Sequence, residues 1–89
     1  MVSQPFIVQV VTVEKALFDG DALELHCAGV DGQLAILPHH EPLITRLAKG
    51  SVRVVTSVGE EIFAIHSGVL EVANNKAVVL CSSDVRTEK

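Results

Sequence analysis

The stretch DGQLAILPHHEPL, residues 31–43, carries the strongest local structural signals in the chain. Asp31 and Gly32 form a dipeptide typical of tight turns, and a short apolar run of strand length follows them. Pro38 and Pro42 then enclose a loop, and each fixes its own φ near about −65° and lacks a backbone donor. The sequence therefore predicts a turn, a strand and a stiff outward loop whose histidines could recognise a partner at low entropic cost.

Short β-branched or alternating runs, separated by turn residues, continue on both sides of this stretch. The predicted strands cover residues 6–12, 21–28, 33–37, 43–47, 51–57, 61–66, 69–73 and 76–82, while residues 13–18 could form a turn of helix or a strand. Asn74 and Asn75 join the last two, because asparagine tolerates the positive φ that a two-residue hairpin turn requires. Eight to ten short strands with closely spaced turns predict an antiparallel β-sandwich or barrel, and no stretch has the pattern of a long amphipathic helix.

Length and charge limit the classes of function. Eighty-nine residues suit one domain, and the formal net charge of −4 argues against a nucleic-acid module, which needs a basic surface. No apolar run approaches the ~18 residues of a membrane-spanning helix. The opening MVSQPFIVQVV has no charged leader or cleavage site, so we expect a first strand there rather than a signal peptide. Hydrophobic residues make up 48% of the chain, which fits either an ordinary β core or a surface that a partner covers.

Residues with reactive side chains do not form a recognisable catalytic or metal-binding pattern. Cys27 and Cys81 lie inside apolar runs, and we expect both to be buried free thiols. The four histidines and two cysteines show no C-x-x-C, H-x-H or H-E-x-x-H spacing, so no metal is expected. A nucleophile elbow and a phosphate-binding loop are also missing, so the sequence predicts no enzyme and no cofactor.

Five motifs, in order over nearly the whole chain, resemble the epsilon-subunit family of F-type ATP synthases, called delta in mitochondria. Residues 31–43 are similar to the family's G-x-L-G-I-x-P-x-H-x-P-L, with Ala35 where the family usually has glycine. The matching positions are Gly32, Leu34, Ile36, Pro38, His40, Pro42 and Leu43. The opening IVQVVTVEKALFDGDALEL resembles the family's first strands and includes its Phe-x-Gly at Phe18 and Gly20. This resemblance implies that residues 13–18 form a strand. Residues 49–54 are similar to G-x-[IV]-R-[IV], and HSGVLEV at residues 66–72 is similar to S-G-G-x-L-E-V.

This resemblance implies an all-β fold, a ten-stranded antiparallel β-sandwich, over residues 1–84, followed by a polar tail at residues 85–89. It also implies a non-catalytic subunit of the central stalk, or rotor, that links the gamma subunit to the membrane c-ring. The subunit thereby couples proton or sodium flow to ATP synthesis. Its implied location is the cytoplasmic face of the bacterial inner membrane, with membrane association only through the complex.

The resemblance further implies two contact sites. His40, Pro42 and Thr45 correspond to the side that packs on gamma. The turn at Asp31, Gly32 and Gln33 corresponds to the part that rests on the polar loops of the c-ring.

Family members usually continue into two C-terminal helices that can bind ATP or extend to inhibit the enzyme. The sequence reaches Lys89 where those helices would begin. The expectation is a chain that couples rotation but neither binds ATP nor inhibits hydrolysis by extension.

A second resemblance gives a different function. Residues 71–77, EVANNKA, faintly resemble the hairpin that presents the modified lysine of lipoyl and biotinyl carrier domains, which are also all-β. Under this alternative Lys76 would carry the prosthetic group. Asn75 stands where the carriers have Asp or Met, and a solvated turn lysine is the simpler interpretation.

Overall fold

The computed structural model describes residues 4–83, and over this range the chain is all-β. The predicted tail at residues 85–89 lies outside the described residues. Every strand belongs to one hydrogen-bonded sheet with the order β2-β1-β7-β6-β5-β3-β4. The strands are β1 (Phe6–Val11), β2 (Ala16–Ala22), β3 (Glu24–Gly29), β4 (Gly32–Ile36), β5 (Leu43–Thr56), β6 (Gly59–Ala73) and β7 (Lys76–Ser83). Neighbouring strands pair antiparallel, except β1 and β7, which pair parallel.

The sheet folds over on itself, so that its two ends enclose one core. Strand β1 lies four positions from β3 in the sheet, which would separate them by roughly 19 Å if the sheet were flat. Side chains of both strands nevertheless belong to one buried cluster, and β2 contacts β5 although the two are not sheet neighbours. With no helix in residues 4–83 to cover either face, each half of the sheet must bury the other. The fully buried side chains include Val8, Val10, Leu25, Cys27, Ile36, Val52, Val54, Leu70, Val72 and Val79.

Strands β5 and β6 pass through both halves of this fold, and each changes its alternation on the way. In β5 the buried positions have odd numbers as far as Leu47 and even numbers from Val52 onward. In β6 they are odd as far as Ile65 and even from Leu70 onward. A strand that turns a corner has to reset which alternate side chains face the core. Because of these two corners, the long hairpin formed by β5 and β6 contributes one end to each half of the fold.

The structure has seven strands within residues 4–83 where ten were expected, and the two corners account for two of the missing strands, because each joins two predicted strands into one. The dipeptides Lys49-Gly50 and Ser67-Gly68, predicted as strand breaks, lie inside β5 and β6. A Cβ added at Gly68 would lie 2.9 Å from the carbonyl oxygen of Leu80 and 3.2 Å from the Cβ of Cys81. Glycine at this corner therefore permits the close approach of β7 rather than ending a strand.

The first hairpin also differs from the prediction of strands at residues 13–18 and 21–28. Asp19 and Gly20 do not interrupt a strand, because β2 pairs with β1 throughout residues 16–22. The interruption comes earlier, where the Thr12 hydroxyl accepts hydrogen bonds from the backbone amides of Glu14 (3.1 Å) and Lys15 (3.2 Å). Such a side-chain-to-backbone bond competes with strand pairing and favours a turn.

Over the described range the structure has no helix long and apolar enough to cross a membrane.

Candidate functional site

The loop between β4 and β5, residues 37–42, is held by two hydrogen bonds from its backbone amides. The backbone amide of His40 donates to the carbonyl oxygen of Leu37 at 3.2 Å, which closes a local turn. His39 has a φ of 66°, in the left-handed region that a histidine occupies only occasionally. Its backbone amide donates to Oδ1 of Asn75 at 2.7 Å, which ties the loop to the β6–β7 hairpin. The stiffness predicted from the flanking prolines is therefore supplemented by a contact with a distant part of the chain.

The ring of His40 has a defined orientation at the surface of this loop. Its Nδ1–H donates to the carbonyl oxygen of Glu41 at 2.7 Å, since a carbonyl can only accept. This bond leaves Nε2 free in the neutral ring to act as an acceptor for a partner's donor. His40 and Pro42 are both exposed, so the structure places these two predicted contact residues in one accessible loop.

Thr45 has a different environment from the other two predicted contacts. It lies on β5, half buried, on the side of the strand that also carries Leu47 into the core, and it pairs with Leu70 of β6. Its neighbour Ile44 points the other way and is 71% exposed. Of these two residues, Ile44 offers the larger accessible surface to a partner.

The turn that carries Asp31 lies one residue earlier than predicted. Gly29 pairs with Gly32, so the two loop residues are Val30 and Asp31, and Gly32 is the first residue of β4 with a φ of 134°. The expected Asp31-Gly32 turn is thus wrong by one position, because Gly32 supplies the required backbone conformation from within the strand. Asp31, Gly32 and the following Gln33 are all exposed at this end of the fold.

The outer surface formed by β1, β7, β6 and the start of β5 is more apolar than the alternating pattern of the strands predicts. The register places Leu80 between Val11 and Val69, and Leu80 is 50% exposed. Ile7 and Ile44 are also exposed on these strands. The signal for this surface was the uninterrupted apolar run AVVLC at residues 77–81, which a strand with one polar face would not show.

The outer surface of the other half carries a histidine–carboxylate contact and one ion pair, beside the exposed Ile62. Nε2 of His26 lies 2.8 Å from Oε1 of Glu24 on β3, and Nη1 of Arg53 on β5 lies 2.9 Å from Oε1 of Glu60 on β6. Each of these side chains is partly solvated, so the pairs are weak contributors to stability.

The two cysteines are free and buried, as the sequence predicted. Burial raises the pKa of the Cys27 thiol from 9.0 to about 11, and it raises the pKa of Cys81 as well. Both thiols are therefore protonated and poorly nucleophilic at neutral pH.

Neither a metal centre nor a carrier lysine stands out among the described residues. Between residues 4 and 83 no group of three or more His, Cys, Asp or Glu side chains is placed to hold a metal ion. Lys76 is exposed directly after the Asn74-Asn75 turn, a position that suits a solvated lysine as well as a modified one.

Comparison with known proteins gives consistent results. Residues 5–87 match the family described as the ATP synthase delta/epsilon chain, β-sandwich domain. The ATP synthase epsilon chain of Hydrogenovibrio crunogenus is 41% identical over 81 residues, which are 91% of this chain and 56% of the relative. The epsilon chain of Xanthomonas oryzae pv. oryzae strain PXO99A is 42% identical over 80 residues, 89% of this chain and 57% of the relative. The chain thus spans little more than half the length of these curated relatives.

Two solved structures share the fold at low sequence identity. A chain of the Euglena gracilis mitochondrial ATP synthase (OSCP/F1/c-ring) has a TM-score of 0.80 at 17% identity, covering 91% of this chain and 52% of that one. A chain of the Tetrahymena thermophila mitochondrial ATP synthase (central stalk/c-ring) has a TM-score of 0.77 at 15% identity, covering 100% of this chain and 75% of that one. The match over residues 5–87, together with the resemblance of the five motifs, leads to one conclusion: the chain belongs to the β-sandwich domain family of ATP synthase delta and epsilon chains.

Proposed function

We propose that the chain acts as a non-catalytic central-stalk subunit of an F-type ATP synthase, joining the gamma subunit to the c-ring and so coupling ion flow to ATP synthesis. The observation that carries this proposal is the family match over residues 5–87. The names of the relatives, which are ATP synthase epsilon chains, support it. In this role the chain is associated with the membrane only through the complex, on the cytoplasmic face of a bacterial inner membrane.

The two proposed contacts lie at opposite ends of one strand. The turn with Asp31, Gly32 and Gln33 precedes β4, and the loop with His40 and Pro42 follows it. The five residues of β4 span about 17 Å, at about 3.3 Å per residue. A single hydrogen-bonded strand therefore connects the surface proposed to face the c-ring with the surface proposed to face gamma. Such a direct connection suits a part that transmits torque without deforming.

The gamma contact is assigned to His40, Pro42 and Thr45. The exposed ring of His40, oriented through Nδ1, leaves Nε2 to accept a hydrogen bond from gamma. Thr45 contributes through its exposed fraction beside the loop.

A binding titration with the gamma subunit from the same organism tests this assignment. We expect His40→Glu to weaken binding by more than about fivefold, because a central contact contributes more than about 1 kcal/mol when it is lost. His66→Glu is the matched control, since His66 is exposed on β6 outside the loop. Thermal unfolding should be the same for both variants. Unchanged affinity of His40→Glu would remove His40 from the interface, and a wild-type chain that does not bind gamma would remove the proposed function.

The c-ring contact is assigned to Asp31, Gly32 and Gln33, whose exposure and polarity suit a wet interface with polar loops. A cysteine at Gln33 should cross-link to a cysteine in the c-ring loop of the assembled synthase. Ser57→Cys, in the exposed turn between β5 and β6, is the control and should not cross-link. The native thiols are buried and should not interfere. Equal cross-linking from both positions would contradict the proposed orientation.

A further inference from the structure

Asn75 connects three separate segments of the chain. Its side-chain Oδ1 accepts the amide of His39 at 2.7 Å, across 36 positions of sequence. Its backbone carbonyl accepts the amide of Ile7 at 3.3 Å, at the start of β1. Its own φ of 59° forms the turn between β6 and β7, next to Asn74 with a φ of 53°. A single residue thus links the N-terminal strand, the last hairpin and the loop at residues 37–42.

The segment that Asn75 holds contains the unusual backbone conformation of the loop. Among residues 4–83, the non-glycine residues with a positive φ are His39, Asn74 and Asn75. Asparagine adopts this region readily because its short side chain bonds locally, but histidine does so less often. A conformation of this kind persists only where surrounding contacts enforce it, and such residues are concentrated at binding sites. Two contacts hold it here: the local turn closed by the His40 amide on the Leu37 carbonyl, and the hydrogen bond to Asn75, which is the one that comes from outside the loop.

We propose that Asn75 is a positioning residue for the partner-binding loop: by holding His39 in the left-handed conformation, it sets the direction in which His40 faces the partner. This inference rests on the proposed function, because it takes the gamma subunit as the partner. His39 immediately precedes His40, so a change in the φ of His39 rotates everything that follows it in the loop. The local bonds of His40, from its amide to Leu37 and from its ring to Glu41, then fix the rest of the geometry. Asn75 therefore acts on the interface without having to touch gamma.

Three variants separate the side-chain bond from the turn. Asn75→Gly removes the acceptor but keeps full tolerance of a positive φ. Asn75→Asp keeps an acceptor oxygen at the same place and tests rescue by a conservative change. Asn74→Gly is the matched control, because Asn74 has a similar φ in the same turn and makes no side-chain hydrogen bond within the described residues.

Two measurements on these variants give independent answers. The first is hydrogen exchange of the His39 amide by NMR in the 89-residue chain, without any partner. We expect Asn75→Gly to accelerate this exchange several-fold, while Asn75→Asp and Asn74→Gly remain near the wild-type rate. The second is the dissociation constant for the gamma subunit, which we expect to rise about three- to tenfold in Asn75→Gly alone, the range of one lost hydrogen bond.

The outcomes distinguish the inference from the function on which it rests. Equal affinity of Asn75→Gly and Asn74→Gly for gamma would overturn the inference, whether both bind like the wild type or both bind worse. Faster exchange at His39 with unchanged affinity would also overturn it, since the loop would be freed without consequence for binding. If the wild-type chain failed to bind gamma, the proposed function would fall, and the exchange measurement would still decide whether Asn75 holds the loop.

Discussion

The two ends of β4 are held in different ways, although both are proposed contact sites. At its start, the turn at Val30 and Asp31 is held, among residues 4–83, by backbone hydrogen bonds: the β3–β4 ladder and the amide of Val30, which donates to the carbonyl of Arg46 at 3.0 Å. At its end, the loop depends on a side chain, Asn75, from another hairpin. A turn held by backbone hydrogen bonds tolerates most substitutions of its exposed side chains. It does not tolerate the substitution of a glycine that has a positive φ. A loop held by a side chain is sensitive to substitution far away in sequence.

The largest effect expected at the turn end is on the pH dependence of stability. Cys27 lies on β3 opposite Leu34 of β4, and burial raises its pKa to about 11. The folded state therefore keeps a proton that the unfolded chain loses above about pH 9, so the contribution to stability is present below pH 9 and is lost as the pH rises towards 11. We expect the free energy of unfolding to fall by about 2–3 kcal/mol over this range because of Cys27.

Urea unfolding at pH 8 and pH 11 measures this fall. In Cys27→Ala the difference in the free energy of unfolding between pH 8 and pH 11 should shrink by about that amount. Because each protein is compared with itself at the two pH values, the cost of the smaller side chain cancels. Identical pH dependence in the two proteins would show that Cys27 is ionised at its ordinary pKa in the folded state.

A substitution at Gly32 should have the next largest effect. Its φ of 134° is strained for any residue with a Cβ, so Gly32→Val should lower the free energy of unfolding by about 2 kcal/mol. Gly20→Val is the control: no positive φ is recorded there, and the nearest atom to an added Cβ is 3.9 Å away. Equal destabilisation of the two variants in urea unfolding would mean that the turn does not depend on this backbone conformation.

The loop end should respond more weakly to the same kind of change. His39→Val introduces a β-branched side chain at a φ of 66° and should cost about 1 kcal/mol. His40→Val, next to it and also exposed, should leave the free energy of unfolding within about 0.5 kcal/mol of the wild type. If His40→Val were the more damaging of the two, the strain would lie elsewhere in the loop.

The smallest effect is expected at Lys76, beside the residue that holds the loop. Lys76→Arg keeps the charge of an exposed turn residue and should change stability by less than about 0.5 kcal/mol, with no change in gamma binding. Intact mass of the protein from its native source should show Lys76 unmodified. A lipoyl or biotinyl increment on this lysine would favour the carrier alternative over the rotor function.

Sequence reasoning succeeded where the determining signal is local. The Asn74-Asn75 turn was predicted from residue type, and the structure confirms it with φ values of 53° and 59°. The all-β class and the free buried cysteines follow in the same way from residue type and patterning. The family resemblance was likewise carried by short motifs, and the match over residues 5–87 confirms it.

Sequence reasoning failed where the structure depends on contacts between segments that are distant in sequence. The corners in β5 and β6 look like strand ends in sequence, because a change of alternation next to a glycine resembles a turn. The bond between His39 and Asn75 spans 36 positions and leaves no pattern in either segment. The c-ring and gamma contacts at residues 31–33 and at His40, Pro42 and Thr45 remain predictions.

The parallel pairing of β1 with β7 also determines when the chain can fold. Strand β7 lies between β1 and β6, so β1 gains its central partner only after residues 76–83 exist. Closing this contact brings Ile7 beside Lys76, a separation of nearly the whole described chain, and contacts of such high order slow folding. Until β7 has been synthesised, the β1–β2 hairpin therefore has an unpaired edge rich in β-branched residues. We expect this interval to be the stage at which the nascent chain is most prone to misassociation and most dependent on chaperones.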